Sequence, residues 1–233
     1  MTNSLATLCI PGLACSPRLY AEQIPHLWSL GPVMVGQHSM HESMADIARS
    51  ILAAAPDRFA LIGLSMGGYV SFEILRQAPE RVVKLALLDT SARPDSAEQT
   101  ANRRAQIKQS EHIPIAAIID AVFPRLVDKS RHGDAQLRQV IRQMADEVGA
   151  AGFVRQQTAI MARPDSRPTL GSIRCPTLVL VGEGDELIPP PVSEEIAKGI
   201  AGATLVKVPE CGHCSSLEQP ERVTRTLMDF LRS

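Results

Sequence analysis

The sequence predicts an α/β fold in which helices cover both faces of a mostly parallel central sheet. Short apolar runs alternate with segments of helical periodicity at both ends of the chain, and this alternation is typical of parallel sheets. One run, Val82–Leu88, is nearly all aliphatic, as expected of a strand that is buried on both faces. The middle of the chain lacks a convincing strand and has helical periodicity, which predicts a helical insertion into this fold.

The first half of the chain supplies four of the predicted strands. They are Leu5–Ile10, Pro32–Gly36, Phe59–Leu64 and Val82–Leu88. Apolar residues between Ile47 and Leu52 recur at helical spacing, and Pro56 ends that helix. A second helix, Tyr69–Gln77, ends before Pro79, because proline disfavours helical backbone in the residue that precedes it.

The second half resumes the alternation after a long interruption. Thr177–Val181 and Leu205–Val208 are predicted strands, and Ser193–Ile200 and Leu217–Leu231 are predicted helices. Residues 93–174 are rich in Arg, Gln, Ala and Asp, and so long a structureless loop would be unusual in a compact domain. We therefore expect one domain over residues 1–233, with a core formed by 1–92 and 175–233 and a helical cap insertion at about 93–174.

Composition and charge exclude several classes of function. The 233 residues carry 24 basic and 25 acidic side chains, a net charge of -1, so no broad field attracts nucleic acid or an anionic membrane. No apolar run approaches the roughly 18–20 residues that cross a bilayer. The first residues lack the basic segment of a signal peptide, and five cysteines is an odd number. These features predict a cytoplasmic protein with reduced thiols; they leave the oligomeric state open.

A G-x-S-x-G pattern is the clearest functional motif. Gly63-Leu64-Ser65-Met66-Gly67 lies directly between an apolar strand and a helix, which is the context that this pattern requires. A serine at the tip of so tight a turn projects above the sheet edge. The N–H of Met66, at the start of the helix, could then donate to a developing oxyanion. Ser65 is therefore the predicted nucleophile.

A serine nucleophile needs a base and an acid that orients the base. Among six histidines, only His213 follows the last predicted strand, in a loop of small residues. His38 follows an early strand, and we favour a structural role for it. Asp185 comes shortly after the strand that ends at Val181, while Glu183 and Asp89 are the alternatives for the acid.

With these motifs in place, the chain resembles the α/β-hydrolase family from Leu5 to Leu231. The order Ser65, Asp185, His213 is the order of that family and favours Asp185 as the acid. The resemblance implies a second oxyanion donor in the Pro11-Gly12-Leu13-Ala14 loop, where relatives often have a His-Gly pair, and we carry this role to the N–H of Leu13. It also implies a serine hydrolase, with neither cofactor nor metal, that cleaves a small carboxylic ester or lactone through an acyl-enzyme.

The substrate and the pocket are less well defined. Cleavage of activated carbon–carbon bonds, haloperoxidase-like perhydrolysis and non-catalytic ligand binding remain open alternatives within this fold. Ile119, Phe123 and Phe153 are candidates for the acyl pocket, although most apolar residues of the insertion are expected to pack it on the sheet. Most arginines there are expected on solvated helix faces, but one could meet a substrate carboxylate. These are Arg103, Arg104, Arg125, Arg131, Arg138, Arg142 and Arg155.

Cys211-Gly212-His213-Cys214 allows two further interpretations. It is a C-x-x-C pattern and resembles the active site of protein disulfide isomerases, but it lies near the C-terminus and not early in a small βαβ domain. A zinc site would have only these two thiols and His213 as clustered ligands, and no second C-x-x-C exists. We therefore expect the two thiols to pack a tight loop.

Overall fold

A computed structural model describes residues 4–233, and its centre is a six-stranded sheet. The strands are β1 (Thr7–Ile10), β2 (Val33–Val35), β3 (Phe59–Leu64), β4 (Val82–Leu88), β5 (Thr177–Gly182) and β6 (Thr204–Val208). Their order is β2-β1-β3-β4-β5-β6, and every neighbouring pair is parallel. The predicted fold class is confirmed. Because all strands run in one direction, their carboxyl ends meet at one edge, where loops collect functional side chains.

Helices cover both faces of this sheet. They are α1 (Ile24–Trp28), α2 (Met44–Ala54), α3 (Met66–Gln77), α4 (Ala97–Gln109), α5 (Ile115–Leu126), α6 (Ala135–Met161), α7 (Pro190–Gly199), α8 (Ser215–Glu218) and α9 (Pro220–Arg232). Short 3-10 helices span Pro17–Tyr20, Pro79–Arg81, Lys129–Arg131 and Arg167–Ser172. Across residues 4–233, none of the helices combines the length and apolar character that a bilayer crossing requires.

Alternating side chains of the strands divide the core into two layers. On β3, Ile62 and Leu64 belong to the layer that contains α1 and α9, and Leu61 belongs to the layer that contains α2, α3 and α7. Successive residues of a strand point to opposite faces, so β3 is buried along its whole length. The predicted aliphatic strand, β4, has the same two-sided environment along most of its length.

The interruption between β4 and β5 contains α4, α5 and α6 and no strand. Helix α4 begins with a capping box in which the side chains of Ser96 and Gln99 each accept the other's backbone N–H. Helix α6 bends at Gly149, whose φ of 68° is available to glycine at little cost. Apolar side chains of α5 and α6 continue the core layer of α1 and α9, so these two helices pack into the core on that side of the sheet.

Candidate active site

Ser65 occupies the turn between β3 and α3 in a strained backbone conformation. Its φ of 55° and ψ of -113° lie outside the regions that non-glycine residues ordinarily adopt. Two hydrogen bonds to the end of β4 hold the turn: the Ser65 N–H donates to Leu88 O at 2.9 Å, and Thr90 Oγ1 donates to Ser65 O at 2.7 Å. The neighbouring strand therefore fixes the serine in place.

The glycines of the motif are required by close backbone contacts. A Cβ on Gly63 would overlap the carbonyl oxygen of Gly67, and a Cβ on Gly67 would overlap the carbonyl oxygen of Ile10. Both glycines allow α3 to start immediately above β1 and β3. The helix N-terminus consequently lies directly behind Ser65, where its dipole favours negative charge.

The structure brings Ser65, His213 and Asp185 into one hydrogen-bonded row. Ser65 Oγ lies 2.9 Å from His213 Nε2, and His213 Nδ1 lies 2.8 Å from Asp185 Oδ2. Because a carboxylate only accepts, Nδ1 carries the proton and Nε2 is left to accept from the serine hydroxyl. The other oxygen of Asp185 accepts the N–H groups of Leu187 and Ile188, each at 2.8 Å. Both the histidine and the aspartate are 3% exposed.

Glu218 fixes the loop that carries the histidine, and no sequence motif pointed to it. Its buried carboxylate accepts the N–H of Gly212 and of Cys214, which flank His213, at 3.0 and 3.1 Å. It also accepts the N–H of Asp128 at 2.7 Å, so the loop is linked to the helical segment. Burial raises the pKa of Glu218 despite these bonds. One sequence feature could have indicated this role: Glu218 lies in the first turn of a short helix that follows a loop. Carboxylates are favoured there because they accept free backbone N–H groups.

The charge state of His213 depends on two opposing effects. Burial disfavours the imidazolium and would lower its pKa. The Asp185 carboxylate opposes this through its charge and its hydrogen bond, and the net result is a pKa raised above the ordinary value. A base with a raised pKa accepts a proton more readily, as removal of a serine proton requires.

Asp89, an alternative candidate for the acid, does not contact the histidine. It follows β4 with a φ of 46° and is fully buried. Its Oδ1 accepts the Gly182 N–H at 2.9 Å, and its Oδ2 is hydrogen-bonded to the Ser215 hydroxyl. Burial and the nearby Asp185 carboxylate raise the pKa of Asp89 well above its ordinary value, which favours a neutral carboxyl group.

The proposed oxyanion donors are Leu13, on the loop after β1, and Met66, the first residue of α3. Neither the N–H of Leu13 nor that of Met66 has a hydrogen-bond partner within residues 4–233. His38 Nε2 lies 2.9 Å from Gly12 O, and burial lowers the pKa of this histidine, so a neutral ring donates to that carbonyl. In a trans peptide the carbonyl and the following N–H point in opposite directions. By binding the Gly12 carbonyl, His38 therefore fixes the peptide so that the Leu13 N–H points away from the His38 ring. This contact is of the structural kind expected for His38.

A cavity of about 220 Å³ opens beside Ser65 and His213. Helices α5 and α6 contribute apolar side chains to it, and α4 contributes polar ones. Of the predicted pocket residues, Ile119 lines the cavity, whereas Phe123 and Phe153 do not. Both phenylalanines are fully buried in the core layer, because their positions on α5 and α6 face the packing between these helices and the sheet.

The thiols of the C-x-x-C pattern are buried and unpaired by disulfides. Cys211 Sγ lies 3.7 Å from the Gly212 carbonyl oxygen, and Cys214 lines the cavity. Burial raises the pKa of both thiols, whereas reactive thiols have lowered pKa values. Within residues 4–233, no group of three His, Cys, Asp or Glu side chains is arranged to hold a metal ion.

Most arginines of the helical segment have partners on the protein. Arg131 pairs with Asp134, and Arg138 and Arg142 pair with Asp120. Arg155 donates to the carbonyl of Ser39. Two arginines line the cavity, Arg103 and Arg125.

A hydroxyl, an imidazole and a carboxylate in one row, at the carboxyl edge of a parallel sheet, form the kind of site that serine hydrolases use. The model of the Alpha/beta hydrolase family matches residues 10–226. The chain therefore belongs to the alpha/beta hydrolase family, and it is a hydrolase of that fold.

Two solved structures and one curated protein illustrate what this chain is similar to. A thermophilic esterase from Thermogutta terrifontis, solved with malate bound, is 32% identical with a TM-score of 0.90, over 98% of this chain and 89% of the esterase. The enol-lactonase from Burkholderia xenovorans LB400 is 25% identical with a TM-score of 0.89, over 99% and 92% of the two chains. A pimeloyl-[acyl-carrier protein] methyl ester esterase from Aromatoleum aromaticum is 27% identical over 78% of each chain.

Proposed function

We propose that this chain is a serine hydrolase that cleaves a small carboxylic ester or lactone through a Ser65–His213–Asp185 triad. The observation that carries the proposal is the position of the His213 imidazole, with Ser65 Oγ 2.9 Å from one nitrogen and Asp185 Oδ2 2.8 Å from the other. The esterases and the enol-lactonase among the similar proteins support the same reaction class.

Acylation begins when Ser65 Oγ attacks the substrate carbonyl carbon and His213 Nε2 takes the hydroxyl proton. The N–H groups of Leu13 and Met66 donate to the oxyanion that forms; neither is engaged elsewhere in the described chain. His213 then returns the proton to the leaving alkoxide, and the alcohol departs. Asp185 holds the Nδ1 proton throughout and stabilises the imidazolium.

Deacylation repeats these steps with water as the nucleophile. His213 Nε2 takes a proton from water, the hydroxide attacks the acyl carbon, and Ser65 Oγ leaves with the proton that returns from the histidine. The products are a carboxylic acid and the free enzyme. Apart from the attacking water, these steps use only groups of the chain and the substrate.

The helical segment at 93–174 acts in this proposal as a cap that defines the substrate cavity. A volume of about 220 Å³ is below the roughly 300–1,000 Å³ of most ligand sites, which supports short acyl groups. The apolar wall formed by Ile119, Val122 and Met144 fits an aliphatic chain. The polar wall on α4 fits a different part of the substrate.

A parallel assay of the wild type and Ser65→Ala tests the proposal. The wild type should hydrolyse short methyl or p-nitrophenyl esters or simple lactones and should react covalently with a fluorophosphonate probe, with the label on the Ser65 peptide. Ser65→Ala should lose both properties and keep its thermal melting temperature. Labelling at another serine, or full turnover by the variant, would contradict the assignment.

A further inference from the structure

The side chains that line the cavity beside Ser65 include positive charges and no negative ones within residues 4–233. Its lining includes the guanidinium groups of Arg103 and Arg125 and the imidazole of His213, and no aspartate or glutamate of residues 4–233 lines it. Arg125 is exposed and forms no ion pair within the described chain. An anion in this cavity would meet cations without opposing carboxylates.

Arg103 belongs to a cluster that carries one excess positive charge. Arg103 donates to Asp95 at 2.6 Å, and Arg163 pairs with the same carboxylate. The side chains of Asp95 and Arg163 are only 1% and 5% exposed. The Arg163 guanidinium also lies 4.2 Å from the centre of the Tyr69 ring. Burial raises the pKa of Tyr69, so the phenol adds no negative charge, and two guanidiniums share one carboxylate.

The remaining donors of Arg103 are available to a ligand. A guanidinium has five N–H donors, and Arg103 uses three: two toward Asp95 and one toward Gln157 Oε1 at 2.8 Å. Gln99, four residues before Arg103, and Gln106, three residues after it, share its face of α4. Asn102 directly precedes Arg103, and all three side chains line the cavity. Gln106 Oε1 accepts from Gln157, so the amide N–H₂ of Gln106 is the group left to donate. The α4 wall is therefore rich in donors.

We propose that this wall is a subsite for a carboxylate, and that the substrate is an ester or lactone with a carboxylate at the end remote from the reacting carbonyl. Arg103 binds the carboxylate, and Asn102 and Gln106 add amide donors. One excess charge in the cluster matches a monoanion better than a dianionic phosphate. The apolar wall takes the methylene groups between the two ends. This inference rests on the proposed function, since it assigns the other end of the substrate to Ser65.

The test compares half-esters with neutral esters of matched length. Monomethyl succinate, glutarate and adipate are paired with methyl butanoate, pentanoate and hexanoate, and kcat/KM is measured for each pair. The wild type should prefer the half-ester of one length. Arg103→Gln should reduce that preference by roughly 10- to 100-fold, as expected when a charge-assisted hydrogen bond is lost. Arg103→Lys, which keeps the charge, should retain part of the preference.

Arg104→Gln is the matched control, because it removes the same charge from the same helix. Arg104 is exposed, does not line the cavity and forms no ion pair within residues 4–233. It should keep the wild-type preference. The proposal is overturned if the wild type does not favour any half-ester, if Arg103→Gln lowers both substrate classes equally, or if Arg104→Gln removes the preference as well.

A binding measurement separates this subsite from catalysis. Calorimetry with Ser65→Ala should detect binding of monomethyl glutarate or monomethyl adipate that neutral methyl hexanoate does not match and that Arg103→Gln removes in the same background. That result would support the subsite even in a protein without ester turnover. Turnover of neutral esters without any carboxylate preference would leave the proposed function in place and refute the subsite.

Discussion

The ends of β4 and β5 each carry a buried aspartate, and only one of the two reaches the histidine. Asp89 follows β4 directly, and its carboxyl group turns toward the Gly182 N–H and the Ser215 hydroxyl. Asp185 lies three residues beyond the end of β5, and its carboxylate meets His213 Nδ1. The number of residues between the strand end and the aspartate therefore differs between the two sites, and only the longer connection places a carboxylate beside the imidazole.

Removal of the Ser65 hydroxyl should lower kcat more than substitution of either aspartate. Ser65→Ala should lower kcat by roughly 10⁴- to 10⁶-fold, because no other hydroxyl replaces the attacking oxygen. Single-turnover kinetics with an activated ester measure the loss. The imidazole and both carboxylates remain in this variant, so residual rates much above this range would mean that the row of three side chains is not the reacting centre.

Removal of the Asp185 charge should have the next largest effect. Asp185→Asn should lower kcat by about 10⁴-fold, because an amide can donate to Nδ1 and favour the wrong tautomer. Steady-state kcat and KM measure the change, with the melting temperature as a check on folding. An effect no larger than that of Asp89→Asn would contradict the assignment of Asp185 as the residue that orients His213.

Glu218 offers a test of the loop that presents the histidine to Asp185. Glu218→Gln should lower kcat by about 10-fold with little change in KM, since a small displacement of a reacting group is costly. It should also lower the free energy of unfolding by about 1–3 kcal/mol, because fewer N–H groups keep a partner. A decrease in stability with unchanged kcat would assign Glu218 to folding alone.

The pH dependence of activity distinguishes the two aspartates, because only one of them is expected to shift the pKa of His213. His213 must be neutral to accept the serine proton, and its pKa is raised above the ordinary 6.5. Activity should therefore fall as the pH decreases through that raised value. Asp185→Asn removes the main stabilisation of the imidazolium and should move this acidic limb to lower pH. Asp89→Asn should leave the limb in place, and a matching downward shift in that variant would show that Asp89 is charged.

Asp89→Asn should have the smallest effect on turnover. The asparagine Oδ1 can accept the Gly182 N–H as Asp89 Oδ1 does, and its N–H₂ can hydrogen-bond the Ser215 hydroxyl oxygen. The value of kcat/KM should therefore change by less than about threefold, or less than about 0.7 kcal/mol. Asp89→Ala is the contrasting variant, because it leaves the Gly182 N–H without its partner. It should have a lower melting temperature than Asp89→Asn.

The sequence predicted the sheet because apolar runs and helical periodicity are local signals, and all six expected strands are present. It also anticipated that Ser65, Asp185 and His213 would meet, since each follows a strand of one parallel sheet; their catalytic roles stay predictions. Which face of α5 and α6 lines the cavity depends on packing between distant segments. Periodicity alone could not distinguish Ile119, on the cavity wall, from Phe123 and Phe153 in the core.

Contacts between distant residues explain why the sequence did not point to Glu218 and why it could not single out Arg103 among the candidate arginines of the insertion. Glu218 acts on backbone N–H groups, and Arg103 lines the cavity while paired with Asp95. The type of a residue does not indicate whether its backbone N–H binds a distant carboxylate. A carboxylate or guanidinium on a helix therefore looks the same in sequence whether it is solvated or lies at the site.

Gln156 of α6 accepts the N–H of Ala14, next to Leu13, and the Asp128 N–H binds Glu218. The helical segment is thus fastened both to the loop that would donate to the oxyanion and to the loop that bears the base. Exchanging residues 93–174 for the equivalent part of a relative would alter the rate of the chemical step along with substrate choice. A chimera should therefore keep a glutamine at position 156 and preserve the hydrogen bond from the N–H of residue 128 to Glu218.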